Sequence, residues 1–270
     1  MVKTPPALRW ALRLLVVAYL FLLVAWPVSL VVRNTFADGF DALSHAFGDP
    51  YVVHSLKLTL IVAVSAVVIN TVFGVTVSLL LVRHSFWGRR ALSVLLDIPM
   101  SVSPVVVGLA LVLVYSPTKG WFGQPLADAG VQVIFSTPGI VMATVFVALP
   151  LVIREVVPTL QEVGDEQEWA ARSLGANGFQ TFTRITLPSI RWAVIYGVVL
   201  SLARSLGEFG AVKVVSGNIV GRTQTATLIV EERYQNFDQP TAYATAFLLA
   251  SAAVACIVVV ALLRPKHTAS

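Results

Sequence analysis

Six stretches of this chain are apolar over about the thickness of a bilayer, and most of its polar positions are gathered between them. They are Leu12–Val32, Leu58–Val82, Val94–Tyr115, Thr137–Val157, Trp192–Val215 and Thr241–Leu263. Their apolar residues are continuous rather than alternating, which predicts helices and argues against the strands of a transmembrane barrel. The expectation is an all-α, polytopic membrane helix bundle of six transmembrane helices. Two stretches carry irregularities. The fifth holds Arg204, Gly207, Glu208 and Gly210, so it is expected to break or end before Val215. In the third, the run LDIPMSVSP contains Pro99 and Pro104, which interrupt helix bonding and predict either a kink able to move or simply the start of a span at the membrane interface, with Asp97 near its inner end.

Composition supports the membrane reading. Of 270 residues 57% are apolar and only 12% charged, against roughly 25% charged in a soluble domain, and the mean hydropathy is +0.81. With six spans both termini share a side, and the distribution of basic residues chooses it. If the termini are cytoplasmic, the inner segments hold twelve basic residues (Lys3, Arg9, Arg13, Arg83, Arg89, Arg90, Arg154, Arg172, Arg184, Arg191, Arg264 and Lys266) and the outer ones six (Arg33, Lys57, Lys119, Lys213, Arg222 and Arg233). Arg204 lies within a span. The net charge of +5 is thus dispersed over span ends rather than gathered into a phosphate-binding face, so no nucleic-acid partner is expected. Cys256, the sole cysteine, excludes an intramolecular disulfide and a cysteine metal cluster, and the four histidines have no ligand spacing. The first span follows Arg9 and Arg13 as a signal peptide would, but it is about 21 residues long without a clear cleavage pattern, and is read as a retained helix.

The longest inner segment, 158–191, carries helix signals of its own. Asp165 with Glu168 three residues later suits an N-cap and capping box. Ala170, Ala171 and Leu174 then favour helix, and Gly175 or the Asn177-Gly178 pair can supply a left-handed terminator. A second short helix beginning near Phe179 and running into the fifth span, with Pro188 near the turn, completes a helix-turn-helix. Leu174, Phe179, Phe182 and Ile185 are its candidate apolar contacts, either with a partner or with the spans above. On residue types alone, the segment fits either an interfacial helix-turn or a docking element.

The spacing adds a further observation. Within EWAARSLGANGFQTFTRITLP, Ala170, Ala171, Gly175, Ile185, Leu187 and Pro188 fall at the intervals of E-A-A, three residues, G, nine residues, I-x-L-P. The segment resembles the EAA loop of bacterial ABC importer permeases, with Trp169 where that family has Glu and Glu168 one position earlier. About 100° of helix rotation separates those positions, so contacts made by the family's Glu are not transferred to this chain. The resemblance implies a type I importer transmembrane domain over 55–263, preceded by an N-terminal helix and outer loop (1–54) and followed by a cytoplasmic tail (264–270). It also implies that Glu168, Trp169, Ala170, Ala171, Gly175, Ile185, Leu187 and Pro188 form an ATPase-coupling loop.

The runs IRWAVIYGVVL and GEFGAVKVVSG, within Ile190–Gly217, and DIPMSVSPVVVGLAL at Asp97–Leu111 are similar to permeases of the sulfate/molybdate group, nearest the W-type permease subunit of the sulfate/thiosulfate importer. That resemblance implies a second, T-type permease, two ATP-binding subunits carrying ATP and Mg, an external sulfate-binding protein, and a place in the bacterial plasma membrane. The chain has no G-x4-G-K-[ST] loop, so no nucleotide cofactor and no catalytic residue are expected in it. A molybdate or tungstate permease is the alternative within the class. A secondary transporter acting alone is the alternative outside it, but neither inverted repeats nor a midplane ion site is evident. Arg204 and Glu208, four apart on one helical face, have two readings: with Gly207 and Gly210 a pathway or gate for the anion, or a buried pair joining two helices. Asn70, Ser101 and Ser103 likewise fit either the pathway or polar contacts between helices.

Overall fold

The computed structural model describes residues 6–37, 39–118 and 120–263, all helix, turn or loop with no strand among them. Lys3, Lys119, Arg264, Lys266 and His267, and the expected tail at 264–270, lie outside the described residues.

Among the described residues, five helices are long and apolar enough to cross a membrane: α1 (Leu8–Thr35), α3 (Pro50–Arg83), α7 (Thr137–Val163), α9 (Gly178–Leu206) and α12 (Gln239–Leu263). Between α1 and α3 lies the short helix α2 (Asp41–Gly48). The third expected span differs from a single helix. It is a pair, α4 (Arg89–Ser101) and α5 (Pro104–Tyr115), bent by 111° across Val102 and Ser103. Pro104 opens α5, where its missing N–H costs nothing, and its ring keeps Ser103 extended at ψ 134°. The proline thus produces a break rather than a mild kink. The fifth span stops at Leu206, and α10 (Gly210–Ser216) starts a new helix. The segments between spans contain α2, α6 (Gly123–Asp128) and α11 (Ala226–Gln235), the last with Ala226, Leu228 and Ile229 buried.

Two long helices contain one wide turn each, at Phe21–Ala25 in α1 and Phe182–Thr186 in α9. In both a proline stands two residues after the wide turn, Pro27 and Pro188. Its ring would crowd the carbonyl four residues back, of Leu23 or Arg184. The turn avoids the clash by bonding across five residues: Trp26 N–H donates to the Phe21 carbonyl, and Leu187 N–H to that of Phe182.

The centre of the bundle is α3, α7 and α9. Val75, Val152, Val156, Leu160 and Ile190 form a buried cluster across the three helices. The helices approach closely because two glycines face one valine. A Cβ at Gly74 would lie 2.9 Å from the Val152 side chain, and one at Gly197 2.9 Å from the Val152 Cα. Small residues at such a crossing are what packing in lipid requires. At one end of the bundle, α10 and α5 close over Ala143 and Val147 of α7, and Arg233 of α11 pairs with Asp49, whose side chain also caps α3 at Tyr51 N. The opposite end holds the termini of α3 and α7 and the start of α9. α1 is different: its most apolar window has no buried residue, and it packs on α12 toward its C-terminal end.

Candidate functional site

At the end of the bundle where α3 and α7 finish, the chain makes a short helix, α8 (Glu166–Ser173), and turns into α9. The expected capping box at Asp165 and Glu168 is not formed. Asp165 makes no side-chain cap, and its Oδ2 instead accepts from Trp169 Nε1 at 3.0 Å. Glu168 turns inward, because Arg83 waits there. The capping box forms one helix later: Asn177 Oδ1 accepts from Gln180 N–H at 2.9 Å, and Gln180 Oε1 accepts from Asn177 N–H at 3.0 Å. This fixes the start of α9 at Gly178.

Gly175 ends α8 as expected, at φ +88°. Ala176 N–H donates to the Ala171 carbonyl at 3.0 Å and Gly175 N–H to that of Arg172 at 2.9 Å, the paired bonds of a Schellman motif.

Glu168 anchors the whole turn. Arg83 Nε lies 3.2 and 3.1 Å from its two carboxylate oxygens, and Arg83 Nη2 lies 3.1 Å from Oε1. Thr186 Oγ1, in the wide turn of α9, donates to the same Oε1 at 2.9 Å. The remaining Arg83 donors go to the Leu160 carbonyl at 3.1 Å and the Gly164 carbonyl at 2.6 Å. One guanidinium therefore satisfies the end of α7, whose last carbonyls lack helical partners, and holds α8 to α3. Glu168 is only 7% exposed, an acceptable burial for a carboxylate with these donors.

The other pattern residues divide by face. Trp169, Ala170, Gly175 and Pro188 are exposed, Ala171 is partly so, and Ile185 and Leu187 are half-buried. Of the four apolar candidates, Phe182 and Ile185 turn toward the bundle, Phe182 packing on the central cluster. Leu174 and Phe179 are 90% and 76% exposed. Trp169, over which the Arg172 guanidinium sits at 5.9 Å, is exposed as well.

Gly207 and Glu208 lie in the break between α9 and α10, with Arg204 in the last turn of α9 and Gly210 at the start of α10. Arg204 Nη1 meets Glu208 Oε2 at 2.7 Å. The other Glu208 oxygen accepts from Ala211 N–H at 2.9 Å, and the Glu208 carbonyl accepts from Thr227 Oγ1 at 2.9 Å. Glu208 thus joins α9, α10 and α11. Gly210 lies against the other break, a Cβ there falling 3.1 Å from Pro104. The Asn70 side chain is fully buried with no hydrogen-bond partner among the described residues, while Ser101 and Ser103 are exposed at the α4–α5 break. Sequence reasoning missed two partners. Nothing local marked Arg83 for Glu168, 85 positions away, and Asp97 meets Arg154 of α7 at 2.9 Å, 57 positions away.

Residues 70–267 match the family described as binding-protein-dependent transport system inner membrane component. The sulfate transport system permease protein CysW of Synechocystis sp. is 44% identical over 258 residues, spanning 96% of this chain and 93% of that protein. CysW of Escherichia coli is 42% identical, spanning 89% and 81%. CysT of Salmonella typhimurium, also a sulfate transport system permease protein, is 37% identical, spanning 87% and 85%. In fold, the chain resembles a bacterial ABC transporter involved in the import of the acidic polysaccharide alginate, at TM-score 0.79 and 17% identity over 97% of this chain and 96% of that one.

Proposed function

The chain belongs to the binding-protein-dependent transport system inner membrane components, and on that premise we propose that it is the permease subunit of an ATP-driven importer of sulfate or thiosulfate in the bacterial plasma membrane. It forms half of the translocation pathway beside a second, T-type permease. Two ATP-binding subunits supply the energy, and an external binding protein delivers the anion. The observation that carries the substrate is the 42–44% identity to CysW proteins along nearly the whole chain.

The geometry of α8 supports the coupling role. Leu174, at the end of α8, and Phe179, at the start of α9, are left open to a partner, while Glu168 and Arg83 tie α8 to α3 and α7. A helix that is free on one face and braced on the other passes a push from an ATPase into the spans without bending. Ala170 and Ala171 leave it slim enough to enter a cleft, Ile185, Leu187 and Pro188 carry the motion into α9, and Gly175 allows the reversal. The excess of basic residues at the α8 end supports a cytoplasmic position for that end and for both termini. The break at Arg204, Gly207, Glu208 and Gly210 lies toward the opposite side and serves as the gate.

Reconstitution tests the assignment. The chain is assembled with a T-type permease, the ATPase and the binding protein in liposomes, and radiolabelled sulfate uptake is followed with and without ATP. ATP-dependent uptake of sulfate or thiosulfate is expected. Uptake of molybdate or tungstate alone overturns the substrate, and uptake by the isolated chain driven by an ion gradient overturns the class.

A further inference from the structure

Between α4 and α7, against Leu81 of α3, lie two adjoining cavities of about 350 and 200 Å³. They share Leu81, Ser93 and Val157 and so form one groove. Arg89, Arg90 and Gln161 line its wider part, at the α8 end of the bundle; Asp97 and Arg154 line the narrower part, toward the α4–α5 break.

Its polar members fix what it faces. The Asp97–Arg154 pair stands within spans, yet each side chain is 53% exposed. Charges facing acyl chains are costly even when paired, so this wall is turned away from lipid, toward water or a polar surface. Its charge is one-sided. Asp97 is taken by Arg154, and Arg89 and Arg90 have no acidic partner within ion-pair distance among the described residues. Glu155 and Glu162 of α7 do not line the groove.

We infer that the α4–α7 groove is an inward exit route for a small tetrahedral dianion, along which Arg89 and Arg90 provide the positive potential and Ser93 and Gln161 offer neutral hydrogen bonds. This deepens the proposed function and rests on it. The walls at Leu81 and Val157 are apolar, so the anion meets attraction at the mouth without a cage that would hold it, as passage requires. A phospholipid phosphate on the same arginines is the competing source of the same chemistry.

The test uses the assembled complex with Cys256→Ala and Ser93→Cys, treated separately with an anionic and a cationic methanethiosulfonate. A water-filled, positive groove makes the anionic reagent react at least about tenfold faster, and Arg89→Gln with Arg90→Gln removes that preference. The same pair of changes lowers sulfate uptake severalfold at unchanged assembly, while Arg89→Lys with Arg90→Lys retains it. Absence of reaction at position 93 with either reagent, as when lipid or a partner covers the groove, overturns the inference. So do equal rates for the two reagents, or full uptake by the neutralised variant. A complex that shows the reagent preference but no ATP-driven sulfate uptake refutes the proposed function instead.

Discussion

Arg83, the last residue of α3, grips the carboxylate of Glu168, in the first turn of α8, at 3.1 Å, and both side chains are nearly nine-tenths buried. The contact joins a membrane span to a short helix whose other face is exposed. Removing one member strands the other charge away from water, so Glu168→Ala or Arg83→Met costs about 3–5 kcal/mol. The thermal unfolding temperature of the purified protein should fall clearly for each single change and recover in part for Arg83→Met with Glu168→Leu. Single variants that melt like the parent would show that the pair braces nothing.

Leu174 and Phe179 offer the opposite case. Being 90% and 76% exposed, they contribute little to the fold, and Leu174→Ala with Phe179→Ala should leave stability within about 0.5 kcal/mol. Transport per ATP hydrolysed in the reconstituted complex should nevertheless collapse. Preserved coupling would mean that these two side chains do not touch the ATPase.

Gly175 and Trp169 separate backbone from side chain. A Cβ at Gly175 would meet nothing within 4 Å, so the obstacle to substitution is the positive φ alone. Gly175→Val should cost about 1–2 kcal/mol or distort the turn and uncouple ATPase from transport, with Gly175→Asn much milder. Trp169→Glu should be tolerated, since Trp169 is 61% exposed and its ring meets Asp165 just before α8 and Arg172 within it. Coupling ratios for the three variants check this; loss in the Trp169 variant equal to that in Gly175→Val would contradict it.

At the central crossing, Gly197→Ala should destabilise by about 1–3 kcal/mol. The added methyl meets the Val152 backbone, which cannot turn aside, whereas at Gly74 it meets only a side chain. Melting temperatures should therefore fall more for Gly197→Ala than for Gly74→Ala, and the reverse order would place the close approach elsewhere.

Much of this was legible in residues. Gly175 announced the end of α8 because positive φ strongly favours glycine, and the run of apolar residues in α3 needed no partner to predict a helix. The capping box was misassigned because Asp165 and Glu168 have the right spacing but Glu168 has a better bond elsewhere. Asn177 and Gln180 carry the same signal with no competitor. α11 was missed since ATLIVEERYQ has no clear apolar face and is helical by packing on α3 and α12.

The sequence by itself determined that this chain fills a bilayer with helices, where they lie, and that a short helical turn hangs between two of them, because those features follow from local hydropathy, proline, glycine and spacing. Tertiary structure alone decided which way Glu168 faces, that Pro104 breaks a span rather than bending it, and that Asp97 and Arg154 stand together on an exposed wall. The two charge pairs depend on neighbours distant in the chain, which set the energy of a buried or half-exposed charge, while at Pro104 the local signal fitted a kink and a break equally.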